Sequence, residues 1–269
     1  MSVRALVLTG FGINCEEETA AAFRLAGADP MIVHVNEILD ERFSLHEFDV
    51  LVFPGGFSFG DDLGAGKAMA SKLLHRRSRS GSLMRDEIER FLGEGKYLLG
   101  ICNGFQILVK MGLLPNTKGV MEQEVTLAVN ASGKFEDRWC RCIATVPWRT
   151  PFLWGISTID LPVRHGEGRL VIRDDAVREA ILAQGLACLQ YGDPSGKPTL
   201  EYPYNPNGSE LACAGLTDSS GQVLGVMPHP EAFLSVYNHP NWGQKLQQAS
   251  SDEGEGLAIF RHIVEHIQR

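Results

Sequence analysis

Short apolar runs alternate with helix-like segments through the first 112 residues, and this alternation constrains the fold most. Each run has the length of a strand buried on both faces, and the segments between them show the apolar spacing of amphipathic helices. Such alternation predicts an α/β protein with a mostly parallel central sheet flanked by helices. The predicted strands are residues 3–10, 30–35, 48–53 and 96–101, and the predicted helices are residues 14–27, 83–95 and 105–112, with Asn14 and Glu17 forming a capping box at the first helix.

The rest of the chain has a different pattern, in which strand-like runs follow one another with turns between them. We therefore predict one domain, residues 1–269, with a strand-rich insertion in its middle. Residues 256–269 have the apolar spacing of a helix that packs on the sheet. Residues 72–82 are basic and residues 238–256 are polar, so both are predicted to be exposed loops.

Composition excludes several classes of protein. The net charge of -8 and pI near 5.5 argue against a general nucleic-acid binder. No apolar run reaches the roughly 18 residues needed to cross a bilayer, and the chain enters a strand directly, so we expect neither a membrane partner nor a signal peptide. Six cysteines in 269 residues are too few for a disulfide scaffold. We expect reduced thiols, a cytoplasmic location and, without a C-x-x-C pair, no metal site.

The segment Gly100-Ile101-Cys102-Asn103-Gly104 has the pattern G-x-C-x-G at the junction of a predicted strand and helix. Its serine counterpart is the nucleophile elbow, a strained turn in which glycines let the strand and helix approach. Cys102 would lie at a helix N-terminus, which favours a thiolate, and the Asn103 amide could face an oxyanion. A buried cysteine in a tight turn explains this segment equally well.

A base for such a cysteine is suggested near the C-terminus. His229 and Glu231 lie in the segment PHPE, at the end of an apolar run. Residues i and i+2 of an extended segment face the same way, so the carboxylate of Glu231 can orient the imidazole of His229. Active sites of parallel α/β sheets gather at the carboxyl ends of strands. Cys102 and His229 are both predicted to lie there.

A glycine pair, Gly55-Gly56, follows the third predicted strand. Glycines allow a backbone amide to turn towards a ligand, so Gly56 could supply a second oxyanion donor. An ordinary strand-to-helix turn would have the same sequence. Taken by itself, the pair favours the ordinary turn.

Taken together, PGG, GICNGFQ and PHPE resemble the triad-type (class I) glutamine amidotransferases. GGFSFGDDLGAG, HGEGR, YPYNPNGS and GVMPHPE further resemble the glutaminase subunits of phosphoribosylformylglycinamidine synthase. The resemblance implies a flavodoxin-like α/β fold with Cys102 as nucleophile, His229 as base and Glu231 as its orienter. It also implies that the Gly56 and Asn103 amides form an oxyanion hole and that Gln106 lies close to the bound glutamine.

The same resemblance implies a reaction and a set of partners. The chain would hydrolyse glutamine and pass ammonia to a synthetase subunit, which holds ATP and magnesium and acts on formylglycinamide ribonucleotide. A small accessory subunit is compatible with this, and no cofactor is expected in this chain. HGEGR (165–169) and NPNGS (205–209) would lie near the site or the partner surface, although NPNGS also fits a simple turn. The alternatives are a glutaminase of another synthetase, a cysteine hydrolase of the peptidase type and a non-catalytic regulatory subunit.

Overall fold

A nine-stranded sheet forms the centre of the protein. The computed structural model describes residues 2–248 and 251–269. The strand order is β2-β1-β3-β4-β11-β10-β9-β6-β7, and β5 and β8 pair separately. The strands are β1 Arg4–Thr9, β2 Asp29–His34, β3 Val50–Phe53, β4 Tyr97–Ile101, β5 Val125–Val129, β6 Glu136–Ala144, β7 Thr158–His165, β8 Glu167–Ile172, β9 Leu189–Gly192, β10 Cys213–Thr217 and β11 Val223–Val226.

Helices cover the faces of this sheet. The C-terminal helix buries Phe260 against Phe23 of the first helix, with the ring centroids 5.1 Å apart. The helices in the described residues are α1 Glu16–Leu25, α2 Val35–Leu39, α3 Lys67–His75, α4 Met84–Gly93, α5 Asn103–Lys110, α6 Asp175–Gln184, α7 Trp242–Gln248 and α8 Leu257–Ile267. The predicted α/β class, with helices flanking a central sheet, is confirmed.

Parallel and antiparallel strands occupy opposite halves of the sheet. The order β2-β1-β3-β4-β11 is parallel throughout. The strands of the predicted insertion then continue the same sheet in antiparallel fashion from β11 to β7. Most of the insertion therefore extends the central sheet, while β8 pairs with β5 outside it. Four of the eight pairings in the central sheet are antiparallel. Because it completes the same sheet, we propose that residues 1–269 form one domain.

Local predictions failed at several helices. Asn14 is not the cap of α1: Cys15 occupies that position, and its side chain makes no capping hydrogen bond. Part of the predicted loop 72–82 belongs to α3, and α7 lies in the predicted loop 238–256, of which residues 249–250 are outside the described part. The helix α6 was also missed, although Asp174 caps it and Gly185 ends it in the left-handed conformation. Within the described residues, no helix has the length and apolarity needed to span a membrane.

Candidate active site

Cys102 lies at the turn between β4 and α5, as the sequence predicts. Its backbone has φ 50° and ψ -103°, which is costly for a residue with a side chain. The flanking glycines are required by close packing. A Cβ on Gly104 would lie 1.8 Å from the carbonyl oxygen of Phe53, and one on Gly100 would lie 2.6 Å from Cδ1 of Leu108. These contacts let α5 start directly over the end of β3 and hold Cys102 at its first turn.

Two backbone amides near Cys102 are available to a ligand. The first hydrogen bond of α5 runs from the Gln106 amide to the Cys102 carbonyl, 3.0 Å away. Among the described residues, the Asn103 amide has no acceptor, as expected in a first helical turn. The Gly56 amide also has no acceptor there. Gly56 has φ 146°, and a Cβ would lie 2.6 Å from the Gly12 carbonyl oxygen, so only glycine fits this turn.

His229 and Glu231 form a buried pair just after β11. Nδ1 of His229 lies 2.6 Å from Oε1 of Glu231, and each residue is only 3% exposed. The His229 amide also donates to the Pro162 carbonyl at 2.8 Å, which fixes the backbone. Since Nδ1 donates its proton to the carboxylate, Nε2 is the ring nitrogen left to give or take a proton. This nitrogen is buried and has no hydrogen-bond partner in the described part of the chain.

The charge of the site favours a protonated imidazole. Burial by itself would lower the pKa of His229, but the negative charges of Glu231 and Cys102 outweigh it and hold that pKa well above its usual value. Cys102 therefore lies close enough to His229 for its charge to affect the imidazole. Sγ of Cys102 currently contacts the Arg164 carbonyl oxygen at 3.7 Å. The arrangement can therefore hold a thiolate beside an imidazolium and move a proton between them.

Asn103 and Gln106 use their side chains to join three segments. Oδ1 of Asn103 accepts from the Ser58 amide at 3.2 Å, and its Nδ2 donates to Oε1 of Gln106 at 2.9 Å. Nε2 of Gln106 in turn donates to the Glu167 carbonyl. Oε2 of Glu167 accepts from the Ala65 amide at 3.1 Å. The loop after Gly56, the start of α5 and the HGEGR segment are thus connected, and both polar ends of Gln106 are occupied.

The HGEGR and NPNGS segments are held together by buried side chains. Oδ1 of Asn130 lies 3.1 Å from Nδ1 of His165, and Oγ of Ser209 donates to the Gly168 carbonyl at 3.2 Å. Oδ1 of Asn205 accepts the amides of Gly208 and Ser209. These contacts favour the turn interpretation of NPNGS. The sequence analysis did not predict a role for Asn130, because no recognisable motif surrounds this residue.

The structure thus gathers Cys102, His229, Glu231 and the amides of Gly56 and Asn103 at the carboxyl edge of the parallel half of the sheet. The cause is topological, because β3, β4 and β11 are neighbours and run in the same direction. Glu167 and the loop after Gly56 close over the same edge. Gln106 lies within this group but points into the hydrogen-bond network described above.

Comparison with known proteins gives relatives that match over nearly the whole chain. The family profile of the CobB/CobQ-like glutamine amidotransferase domain matches residues 2–267. The phosphoribosylformylglycinamidine synthase subunit PurQ of Dehalococcoides mccartyi is 41% identical, with 97% of this chain and 96% of that protein aligned. The PurQ subunit of Methanococcus maripaludis is 36% identical, with 99% and 98% aligned.

Among solved structures, a chain of PurLQS from Thermotoga maritima superposes with a TM-score of 0.71 at 30% identity, covering 99% of this chain and 100% of that one. A glutamine amidotransferase from the same organism, at 15% identity and a TM-score of 0.52, shares the fold. With the profile matching nearly the whole length and a relative 41% identical, the chain belongs to the CobB/CobQ-like glutamine amidotransferase family.

Proposed function

We propose that this chain is the glutaminase subunit of a phosphoribosylformylglycinamidine synthase. The observation that carries the proposal is the strained Cys102 at the first turn of α5, facing the buried His229–Glu231 pair. A cysteine, a base and an orienting carboxylate make up the set needed for acyl transfer through a thioester. The substrate and the reaction are inferred from the relatives named above, which are subunits of this synthase.

The first half of the reaction releases ammonia. Sγ of Cys102 attacks the side-chain carboxamide carbon of glutamine, and the electron pair of the C=O bond moves onto oxygen. The amides of Gly56 and Asn103 donate to that oxyanion. The C–N bond then breaks as His229 gives its proton to the departing nitrogen, which leaves a glutamyl thioester and ammonia. Gln106, at the start of the same helix, borders the bound glutamine.

The second half restores the enzyme. His229 accepts a proton from water while the water oxygen attacks the thioester carbon. The resulting oxyanion again faces the Gly56 and Asn103 amides. The C–S bond breaks, the new carboxyl group loses its proton to solvent as glutamate leaves, and Cys102 returns as a thiolate beside the imidazolium. Glu231 stays ionised and holds the ring orientation through Nδ1 in both halves.

Ammonia must then reach a synthetase subunit before it is protonated by water. An exposed aromatic patch beside the oxyanion turn supports docking of such a partner here. Phe57, the residue after Gly56, is 44% exposed and lies near Phe135, which is 54% exposed, with 6.4 Å between ring centroids. Aromatic side chains are enriched at protein–protein interfaces relative to the rest of the surface. The partner holds ATP and magnesium, and this chain needs no cofactor of its own for the steps above.

The cellular location follows from the same proposal. All six cysteines are unpaired, and five of them are buried. Free thiols suit a reducing compartment, where the other enzymes of nucleotide synthesis can supply substrate. We therefore place the protein in the cytoplasm.

A direct test replaces Cys102 with alanine and measures glutamine hydrolysis in the assembled complex with the synthetase subunit. Loss of glutaminase activity is expected, with synthesis from added ammonia retained. Cys140→Ala is the matched control, because that thiol lies in β6, outside the group described above, and should leave activity intact. Glutaminase activity that survives Cys102→Ala would refute the mechanism.

A further inference from the structure

A second cysteine contacts the His229–Glu231 pair. Cys15 precedes α1, and its Sγ lies 3.1 Å from the point that a Cβ on Gly55 would occupy. Cε1 of His229 lies 2.8 Å from the same point. Sγ of Cys15, a ring nitrogen of His229 and a carboxylate oxygen of Glu231 all lie within 4.8 Å of one another. The reaction described above gives this thiol no role.

A buried oxygen in this group is also unexplained. Oε1 of Glu231 is occupied by Nδ1 of His229, whereas Oε2 is buried and has no hydrogen-bond partner in the described residues. Nε2 of His229 is likewise without a partner, but Cys102 requires it. A buried carboxylate oxygen that lacks a donor is costly and calls for a proton donor or a cation. The unpartnered oxygen thus belongs to the carboxylate that is grouped with Cys15, whose thiol donates to Oδ1 of the exposed neighbour Asn14 at 3.3 Å.

The donor set matches a particular class of cation. Thiolate, imidazole and carboxylate are the three protein ligands that Zn²⁺ prefers, whereas Mg²⁺ and Ca²⁺ select oxygen. One thiolate and one carboxylate would neutralise a divalent ion in this buried place. The sequence did not indicate such a site, because Cys15 is separated from His229 by more than 200 positions and has no C-x-x-C partner.

We propose that Cys15, His229 and Glu231 form an inhibitory binding site for Zn²⁺ or another thiophilic divalent cation. Ligand atoms around tetrahedral zinc lie about 3.5 Å apart, given bonds of about 2.0 to 2.3 Å. An ion on Nδ1 would have to separate the imidazole from Oε1 of Glu231, which now lies only 2.6 Å away, and an ion on Nε2 would occupy the nitrogen that Cys102 requires. Metal binding and the catalytic arrangement therefore exclude each other. The inhibition, unlike the binding, rests on the proposed glutaminase function.

Cobalt titration of the full-length protein tests the site without reference to activity. Co²⁺ replaces zinc and gives a thiolate-to-cobalt charge-transfer absorption when a cysteine ligates it. The wild type and Cys102→Ala are both expected to show this absorption at one equivalent. Cys15→Ala should lose it and bind the ion at least about 100-fold more weakly, since even residues behind the ligands contribute 10- to 100-fold. Cys140→Ala is the control and should titrate like the wild type.

Zinc inhibition of the assembled synthase is the second readout. Zn²⁺ should inhibit glutamine hydrolysis by the wild type. The same inhibition of Cys15→Ser should need a zinc concentration about 100-fold higher. Circular dichroism of Cys15→Ala and Cys15→Ser shows whether each variant is folded. The proposal is overturned if a folded Cys15 variant binds Co²⁺ like the wild type, or if Cys102→Ala loses the absorption. The two proposals can fail independently. Glutaminase activity in Cys102→Ala would refute the glutaminase mechanism, whereas the cobalt absorption tests the metal site alone.

Discussion

The imidazole of His229 occupies the space that a side chain at Gly55 would fill: a Cβ at Gly55 would lie 2.8 Å from Cε1 and 3.3 Å from Nδ1 of the ring. The glycine pair after β3 therefore has two separate functions. Gly56 needs its backbone conformation, with φ 146°. Gly55 needs the absence of a side chain, because the ring that serves Cys102 packs on its backbone.

Gly55→Ala should lower kcat for glutamine hydrolysis by about 100-fold, because a shift near 1 Å in a reacting group can have that effect. The new methyl group must displace His229 or Cys15, and either movement disturbs the alignment with Cys102. The measurement is steady-state glutaminase kinetics in the complex, together with a thermal melt of the isolated chain.

Gly93→Ala is the matched control for this change. Gly93 ends α4, and a Cβ there meets no atom within 4 Å. We expect its kcat to equal that of the wild type. A Gly55→Ala enzyme with normal kcat would show that the imidazole does not depend on this contact.

Whether a structural feature of this protein could be predicted from the sequence depends on how far apart in the chain the interacting residues lie. The elbow at Cys102 was predictable because Gly100, Cys102 and Gly104 lie within one strand-turn-helix unit, although the contact that requires Gly104 is with the distant Phe53 carbonyl. The pairing of His229 with Glu231 was predictable for the same reason, since both belong to one short extended segment. The resemblance to a known family then connected these two local patterns.

Contacts between distant segments were not predictable. Nothing near Gly55 in the sequence indicates that a ring 174 positions away packs on it. Asn130 likewise looks like an ordinary polar residue after a strand, yet its Oδ1 accepts from the Gly168 amide at 3.0 Å. The direction of the inserted strands also depends on tertiary pairing, because alternation and length alone do not distinguish parallel from antiparallel neighbours.

Glu231→Gln should lower kcat by about 100-fold or more, the usual contribution of a positioned acid–base group. Glutamine keeps the shape of the side chain but removes the charge that raises the pKa of His229. The pKa of His229 should therefore fall in the variant, and the upper limb of the pH–rate profile, where the imidazolium loses its proton, should move to lower pH. An unchanged pH profile would contradict the proposed coupling.

The same change has a predictable effect on stability. Because the folded pKa of His229 lies above the unfolded value of about 6.5, protonation of this residue stabilises the fold below that pH. This contribution is lost as pH rises through the folded pKa. The wild type should thus exceed Glu231→Gln in unfolding free energy most at pH 6 and less at higher pH. Urea unfolding of both proteins across this range measures the difference.

His165 should show the opposite dependence on pH. Burial, and secondarily the charge of His229, lowers the pKa of His165 to about 4. The neutral form is therefore the one that fits the fold, and its contribution is complete above about pH 6.5 and lost as pH falls towards 4. The loss should be on the order of 3 kcal/mol. His165→Gln should flatten the decline of urea midpoints between pH 6.5 and 4.

The control for that experiment is His75→Gln, at an exposed position that ends α3. Its acid unfolding should follow the wild type. If His165→Gln loses stability with falling pH as steeply as the wild type does, another group causes the acid sensitivity.

Asn205→Ala should lower the unfolding free energy by roughly 2 to 3 kcal/mol, the cost of leaving buried polar groups unsatisfied. Oδ1 of Asn205 accepts the amides of Gly208 and Ser209, and its Nδ2 donates to the Ser209 carbonyl at 2.9 Å. Ser209 in turn holds β8, because its Oγ accepts from the Leu170 amide at 2.9 Å.

Urea unfolding of Asn205→Ala measures the loss of stability, with Ser219→Ala at an exposed turn as control. Since β8 also carries Glu167, which accepts from Gln106, glutaminase activity should fall together with stability. A variant that keeps the wild-type midpoint would mean that this turn is held by its backbone alone.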